Sequence, residues 1–157
     1  MKHTLRPAAA ADSLQVAALL IDRRAEFMPY APSANTDSAI RAWVASYLTP
    51  TGGVIVAEAD GKVVGGVATE LNGHVSWITQ MAVAPALTGQ GIGSKLLATV
   101  MRGLANPVRL YTFQANEGSR RFYERHGFCA IEFTDGQDNE ERCPDVLYEF
   151  GAHRTDA

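Results

Sequence analysis

Cysteine is scarce, with 2 in 157 residues, and nothing supports a disulfide framework; Cys129 and Cys143 read as buried free thiols. Histidine is sparse too. His3, His74, His126 and His153 have no metal-ligand spacing, so no metal is expected. No stretch approaches the roughly 20 apolar residues of a membrane span. The opening "MKHTLRPAAAADSLQ" interrupts its alanines with Asp12 and Gln15, which fits strand, turn and helix better than a secretory leader. Positive charge is also short: 14 Lys and Arg against 17 Asp and Glu leave a net charge of −3, without the basic footprint of a nucleic-acid binder. A cytoplasmic protein engaging neither membrane nor nucleic acid is expected.

Apolar residues make up 46% of the chain and charged ones 20%, the balance of a globular protein. At this length one domain over residues 1–157 can bury roughly 70% of the surface its unfolded chain exposes. Thr4 to Arg6 reads as a short strand, and Asp12 followed by Gln15 as a capping-box helix start. Leu14, Ala17, Ala18, Ile21, Ala25 and Met28 then recur at helical spacing up to Pro29. Ile40, Trp43, Val44, Tyr47 and Leu48 form the stripe of a second helix.

The period then becomes extended. "GGVIVAEA", "KVVGGVATEL" and "HVSWITQMAV", separated by Asp60-Gly61 and Asn72-Gly73, predict an antiparallel meander with tight turns. A helix lined by Ile92, Leu96, Leu97 and Val100, the strand "VRLYTF", a helix from about Asn116 to His126 closed by Gly127, and the strands "FCAIEF" and "VLYEF" complete the order βααβββαβαββ.

"ALTGQGIGSKLL" sets Gly89, Gly91 and Gly93 at the junction of strand and helix. The first N–H groups of a helix lack intrahelical partners and sit at the positive end of its dipole, so a bare backbone there suits a phosphate. A P-loop frame, GxxxxGK[ST], is missing, and so are the GxGxxG spacing and ribose-binding carboxylate of a dinucleotide fold. On their own the glycines also fit a tight turn with a helix–sheet contact. At the next junction, in "QANEGSRRFYERHGF", Asn116 is placed as an N-cap and Tyr123 as a mid-helix aromatic.

Together, "VAPALTGQGIGSKLL" (83–97) and "NEGSRRFYERHGF" (116–128) resemble the acyl-coenzyme-A-binding core of the GNAT superfamily of N-acetyltransferases, and the element order agrees over nearly the whole chain. The resemblance implies an α/β (α+β) fold with a mixed, mostly antiparallel central sheet of six to seven strands and about four helices. It implies acetyl-CoA as cosubstrate, held by Met81, Ala82 and Val83 along the pantetheine arm and by Thr88, Gly89, Gln90, Gly91, Ile92, Gly93 and Ser94 around the pyrophosphate. Asn116 and Ser119 would line the pantetheine wall, and Tyr123 would protonate the departing thiolate as general acid. Thr88 stands where the family usually carries Arg or Gln, so main-chain donors carry more of the cradle.

The family's common strand carboxylate is missing from "VSWITQMAV", so deprotonation of the amine through water is the simplest account. Asp135, Asp138, Glu140, Glu141 and Asp145 lie in a segment that walls the acceptor pocket in such proteins, which reads either as a solvated loop or as an acidic rim for a cationic amine. The expected activity is transfer of acetyl from acetyl-CoA to a primary amine of a small molecule or peptide. A non-catalytic acyl-CoA-binding or sensing module on the same fold is the alternative. Family resemblance also admits a homodimer.

Overall fold

A computed structural model describes residues 2–151. His153 and the two ends of the expected 1–157 span lie outside the described residues. The order is β1 (Thr4–Pro7), α1 (Ser13–Phe27), α2 (Asp37–Trp43), β2 (Val54–Ala59), β3 (Lys62–Asn72), β4 (Val75–Val83), α3 (Ile92–Met101), β5 (Val108–Phe113), α4 (Glu117–Arg125), β6 (Phe128–Phe133) and β7 (Asp145–Phe150). Seven strands form one sheet in the order β1-β2-β3-β4-β5-β7-β6, antiparallel throughout except where β4 lies parallel to β5. The strand and helix order matches the expected βααβββαβαββ. No described helix is long and apolar enough to cross a membrane.

The meander owes its first turn to Asp60 and Gly61, whose φ angles of 52° and 76° fit the twist of a two-residue hairpin. The second turn is displaced by one residue from its expected place. Asn72 still pairs with Val75, so Gly73 and His74 are the central residues, with Gly73 at φ 63° in the first of the two positions.

Residues 63–68 of β3 are buried without a break because helices cover both faces of the sheet there. Val16, Ala17, Val44 and Leu48 pack on one face, and Ile92, Leu96 and Leu97 of α3 on the other. Gly65 sets how closely α3 approaches: a Cβ there would lie 3.0 Å from Ile92 Cγ2 and 3.1 Å from Leu96 Cδ1.

Three local expectations are corrected. Of the expected stripe only Ala17 and Met28 are buried; Leu14 is 70% exposed, Ala18 and Ala25 are exposed, and Val16 and Leu19 are buried in their place. The first half of α1 is apolar nearly all round, so periodicity offers more than one face and packing on β3 decides. Asp12 and Gln15 form no capping box. Asp12 accepts the Ala9 N–H at 2.7 Å within a preceding one-turn 3-10 helix and pairs with Arg6 at 2.8 Å, while Gln15 accepts the Val63 N–H at 2.9 Å. Finally, α2 ends at Trp43 and Val44–Leu48 wind into a π-helical turn. That widening brings only Val44 and Leu48 into the core and leaves Trp43 and Tyr47 stacked on the surface at 6.0 Å.

Candidate functional site

β4 and β5 pair only at Ser76–Val108 and Trp77–Arg109 and then separate. The opening is prepared by a bulge: Ala68 faces Gln80 and Thr69 faces Ile78, leaving Thr79 as an extra residue in β4. Before the bulge Ser76 turns its N–H toward Pro107 beside β5, and after it Ala84 turns its N–H toward Val64 of β3. Strand alternation then aims the main-chain groups of Met81 and Val83 into the opening. They form an unpaired strand edge ready for an extended partner.

At the mouth of the opening α3 begins. Gly91 is its N-cap, and the amides of Ile92, Gly93 and Ser94 have no intrahelical acceptor. Gly89 and Gly91 have φ of 84° and 85°, so glycine is required there by the left-handed backbone, and a Cβ on either would meet nothing within 4 Å. Gly93 has a different reason. A Cβ there would touch the Phe122 ring at 3.4 Å, so this glycine sets the contact between α3 and α4. His126 Nδ1 lies 2.7 Å from the Phe122 carbonyl, which can only accept, so in the neutral ring Nε2 accepts the Ser94 hydroxyl at 3.1 Å. Ser94 therefore offers the opening its amide. The Thr88 hydroxyl is likewise spent on the Pro85 carbonyl at 2.8 Å.

These groups line a cavity of about 500 Å³ whose charged side chains, among the described residues, are Arg23 and Arg125, with no carboxylate. A second cavity, of about 540 Å³, lies on the β5 side and carries Glu132, Asp135, Asp138, Glu141 and Asp145 against Arg23 and Arg24. The two share a wall made by Arg23, Met81 and Tyr123. One half thus suits an anion and the other a cation. No group of three or more His, Cys, Asp or Glu that could hold a metal occurs among the described residues.

Tyr123 is 5% exposed, and its ring is fixed edge-on between Phe122 at 5.1 Å and Phe128 at 5.6 Å. Burial pushes its hydroxyl pKa up to about 12, with Arg23 pulling weakly the other way, and no hydrogen bond contributes. The hydroxyl therefore keeps its proton at neutral pH and opens onto both cavities. Arg23 is half-buried, has no carboxylate partner among the described residues, and donates to Ser119 Oγ at 3.0 Å. Burial lowers the pKa of its guanidinium.

Of the expected residues, Met81, Ala82, Val83, Thr88, Gly89, Gly91, Ile92, Gly93, Ser94, Asn116, Ser119 and Tyr123 meet around one cavity. Gln90 is exposed and does not line it. Asn116 uses its side-chain oxygen to cap α4, accepting the Ser119 N–H at 3.2 Å, so only its amide NH₂ is free for a ligand. Cys129 and Cys143 are half-buried rather than buried, are free, and line neither cavity. Sequence reasoning gives no site role to Arg23, Phe122 or Arg125, and it places Phe27 on the acceptor side rather than in this cavity. Arg23 is 96 positions from Ser119 and reaches it only through the fold. Arg125, at the end of "RRFYER", was within reach as a cation one helical turn from Phe122, over whose ring it lies at 5.9 Å.

No curated protein matches the chain. Solved structures agree with it in fold at low identity. An acetyltransferase of the GNAT family from Bacillus cereus superposes with a TM-score of 0.76 at 16% identity, covering 98% of this chain and 100% of its own. The PaiA N-acetyltransferase from Thermoplasma acidophilum, solved in complex with coenzyme A, gives 0.72 at 16% identity over 96% and 99% of the two chains. Naa50 from Arabidopsis thaliana, in complex with the bisubstrate analogue CoA-Ac-MVNAL, gives 0.72 at 19% identity over 95% and 98%. The family model described as the acetyltransferase (GNAT) family matches residues 18–128, from α1 to the start of β6, which takes in the residues around the first cavity but not Glu132, Asp135, Asp138, Glu141 and Asp145 of the second, and the chain belongs to that family.

Proposed function

We propose that this chain, as one domain over residues 1–157, transfers the acetyl group of acetyl-CoA to a primary amine by direct attack. The observation that carries the reading is a cleft of two oppositely charged halves meeting at a protonated Tyr123. The fit of the anion-binding half to acetyl-CoA rests on the free amides of Ile92, Gly93 and Ser94, the open space beside Gly89 and Gly91, the unpaired edge at Met81 and Val83, and Arg125. Acetyl-CoA supplies an activated acyl carbon and a sulfur leaving group.

The chain supplies placement and charge. The amides at the start of α3 bind the pyrophosphate, and the edge of β4 aligns the pantetheine arm as an added strand. The Met81 N–H stabilises negative charge on the carbonyl oxygen as the amine adds. As the carbon–sulfur bond breaks, Tyr123 donates its proton to the thiolate and recovers one from solvent. The amine nitrogen loses its proton to water. Among the described residues neither cavity presents a thiol, which favours direct attack over an acyl-enzyme. The coenzyme A in the Thermoplasma acidophilum structure and the bisubstrate analogue in the Arabidopsis thaliana one lend the reading support from related folds.

Thiol release from acetyl-CoA across a panel of amines and short peptides tests the reading. Turnover with at least one amine is expected. Thermal stabilisation by acetyl-CoA without turnover would favour the non-catalytic acyl-CoA-binding module, because a ligand held only by the folded state must raise its stability.

A further inference from the structure

The acid-lined cavity narrows the acceptor, given the acetyltransferase reading above. Of its five carboxylates, two are committed within the fold: Glu141 pairs with Arg24 at 3.1 Å, and Asp145 accepts the Thr134 hydroxyl and, at 3.1 Å, the Asn139 amide. Glu132, Asp135 and Asp138 have no cation partner among the described residues. Asp135 accepts only the Gln137 N–H, at 3.0 Å. Three carboxylates gathered at one cavity repel one another, and a bound cation relieves that repulsion.

A second, independent feature marks where the reacting atom sits. The Tyr123 hydroxyl, on a side chain 5% exposed, opens onto this same cavity without a hydrogen-bond partner among the described residues. The reacting nitrogen must be neutral when it attacks, so the carboxylates gain nothing from it at that moment. A second ammonium on the same molecule keeps its charge throughout. Tyr111 and Phe113 on β5 line the same cavity and offer apolar ring surface to a methylene linker.

We propose that the acceptor is a small dication. One aliphatic amine reacts beside Tyr123, while a distal ammonium is held among Glu132, Asp135 and Asp138. The nitrogen–carbon bond forms at the acetyl carbonyl, the carbon–sulfur bond breaks, the thiolate takes the Tyr123 proton, and the distal ammonium is unchanged.

The test compares kcat/KM for α,ω-diaminoalkanes of increasing length with monoalkylamines and ω-amino acids of matched length, in wild type and in Glu132→Gln/Asp138→Asn. Both substituted residues are exposed, and thermal melts verify folding. One diamine length is expected to exceed its monoamine about 10-fold or more, equivalent to about 1.4 kcal/mol, and the advantage should shrink at high salt. The double substitution should bring the diamine-to-monoamine ratio toward one, chiefly through KM. Turnover without a diamine preference, a preference for ω-amino acids, or a ratio indifferent to the substitutions would overturn the dication while leaving acetyl transfer standing. An absence of thiol release with every amine would overturn both.

Discussion

Replacing Tyr123 by Phe removes a single hydroxyl from a buried ring and separates chemistry from folding. The ring keeps its contacts with Phe122 and Phe128, at 5.1 and 5.6 Å, and the lost oxygen has no hydrogen bond to forfeit. Because the hydroxyl faces the two cavities and gives up no hydrogen bond among the described residues, Tyr123→Phe should melt near the wild-type temperature at neutral pH. Turnover should fall roughly 100- to 10,000-fold, the usual contribution of a positioned acid, with the KM for acetyl-CoA little changed.

Alkaline melting gives an independent check with a defined sign. The hydroxyl is raised from 10.0 in the unfolded chain to about 12 in the folded one. The folded state therefore holds this proton more tightly, a stabilisation complete below pH 10.0 and lost as pH rises through about 12. Two pKa units correspond to about 2.7 kcal/mol. Wild type should thus lose about 2 kcal/mol more stability than Tyr123→Phe between the two pH values, and approach the full difference only above the higher one. An unchanged rate constant for the chemical step, or parallel alkaline melting curves, would refute the reasoning.

Other perturbations probe what positions the site. Gly65→Ala forces a methyl against Ile92 and Leu96 at 3.0 and 3.1 Å, and should cost roughly 1–3 kcal/mol in a denaturant melt while raising the KM for acetyl-CoA, since Ile92 opens α3. At Gly91 the left-handed φ of 85° tolerates Asn better than Val, so calorimetry should rank Gly91→Asn as the more stable of the two variants. Asp12→Asn should flatten the acid side of the stability curve. Arg6 holds the Asp12 carboxyl below its usual 3.8, so that stabilisation is present above this value and lost as pH falls through the folded one.

The order of strands and helices was legible because each element carries a strong local signal. β2 to β4 alternate between turn dipeptides, and α3 carries a clean stripe from Ile92 to Val100. The two motifs lie next to strand–helix junctions, so locality also brought Gly91, Asn116 and Tyr123 to one cavity. The illegible parts depend on contacts distant in sequence. The face of α1 is chosen by β3, and the π turn at Val44–Leu48 by the core that Val44 and Leu48 enter. The bulge at Thr79 has no composition signal, yet it turns the Met81 and Val83 main chain into the cleft. Charge separation was half legible. The acidic segment was visible as a candidate rim, but Asp135, Asp138, Glu141 and Asp145 reach the cavity and Glu140 does not, while Arg23 arrives from α1.

The most direct test follows the acetyl group itself, using acetyl-CoA isotopically labelled in the acetyl moiety, a set of diamines, and mass spectrometry of both small molecules and protein. Direct transfer in a cleft shared by the two cavities should put the label in an amide on the amine, release free thiol in equal amount, and leave the protein mass unchanged. Label recovered only as acetate, or on the protein at Cys129 or Cys143, would contradict it.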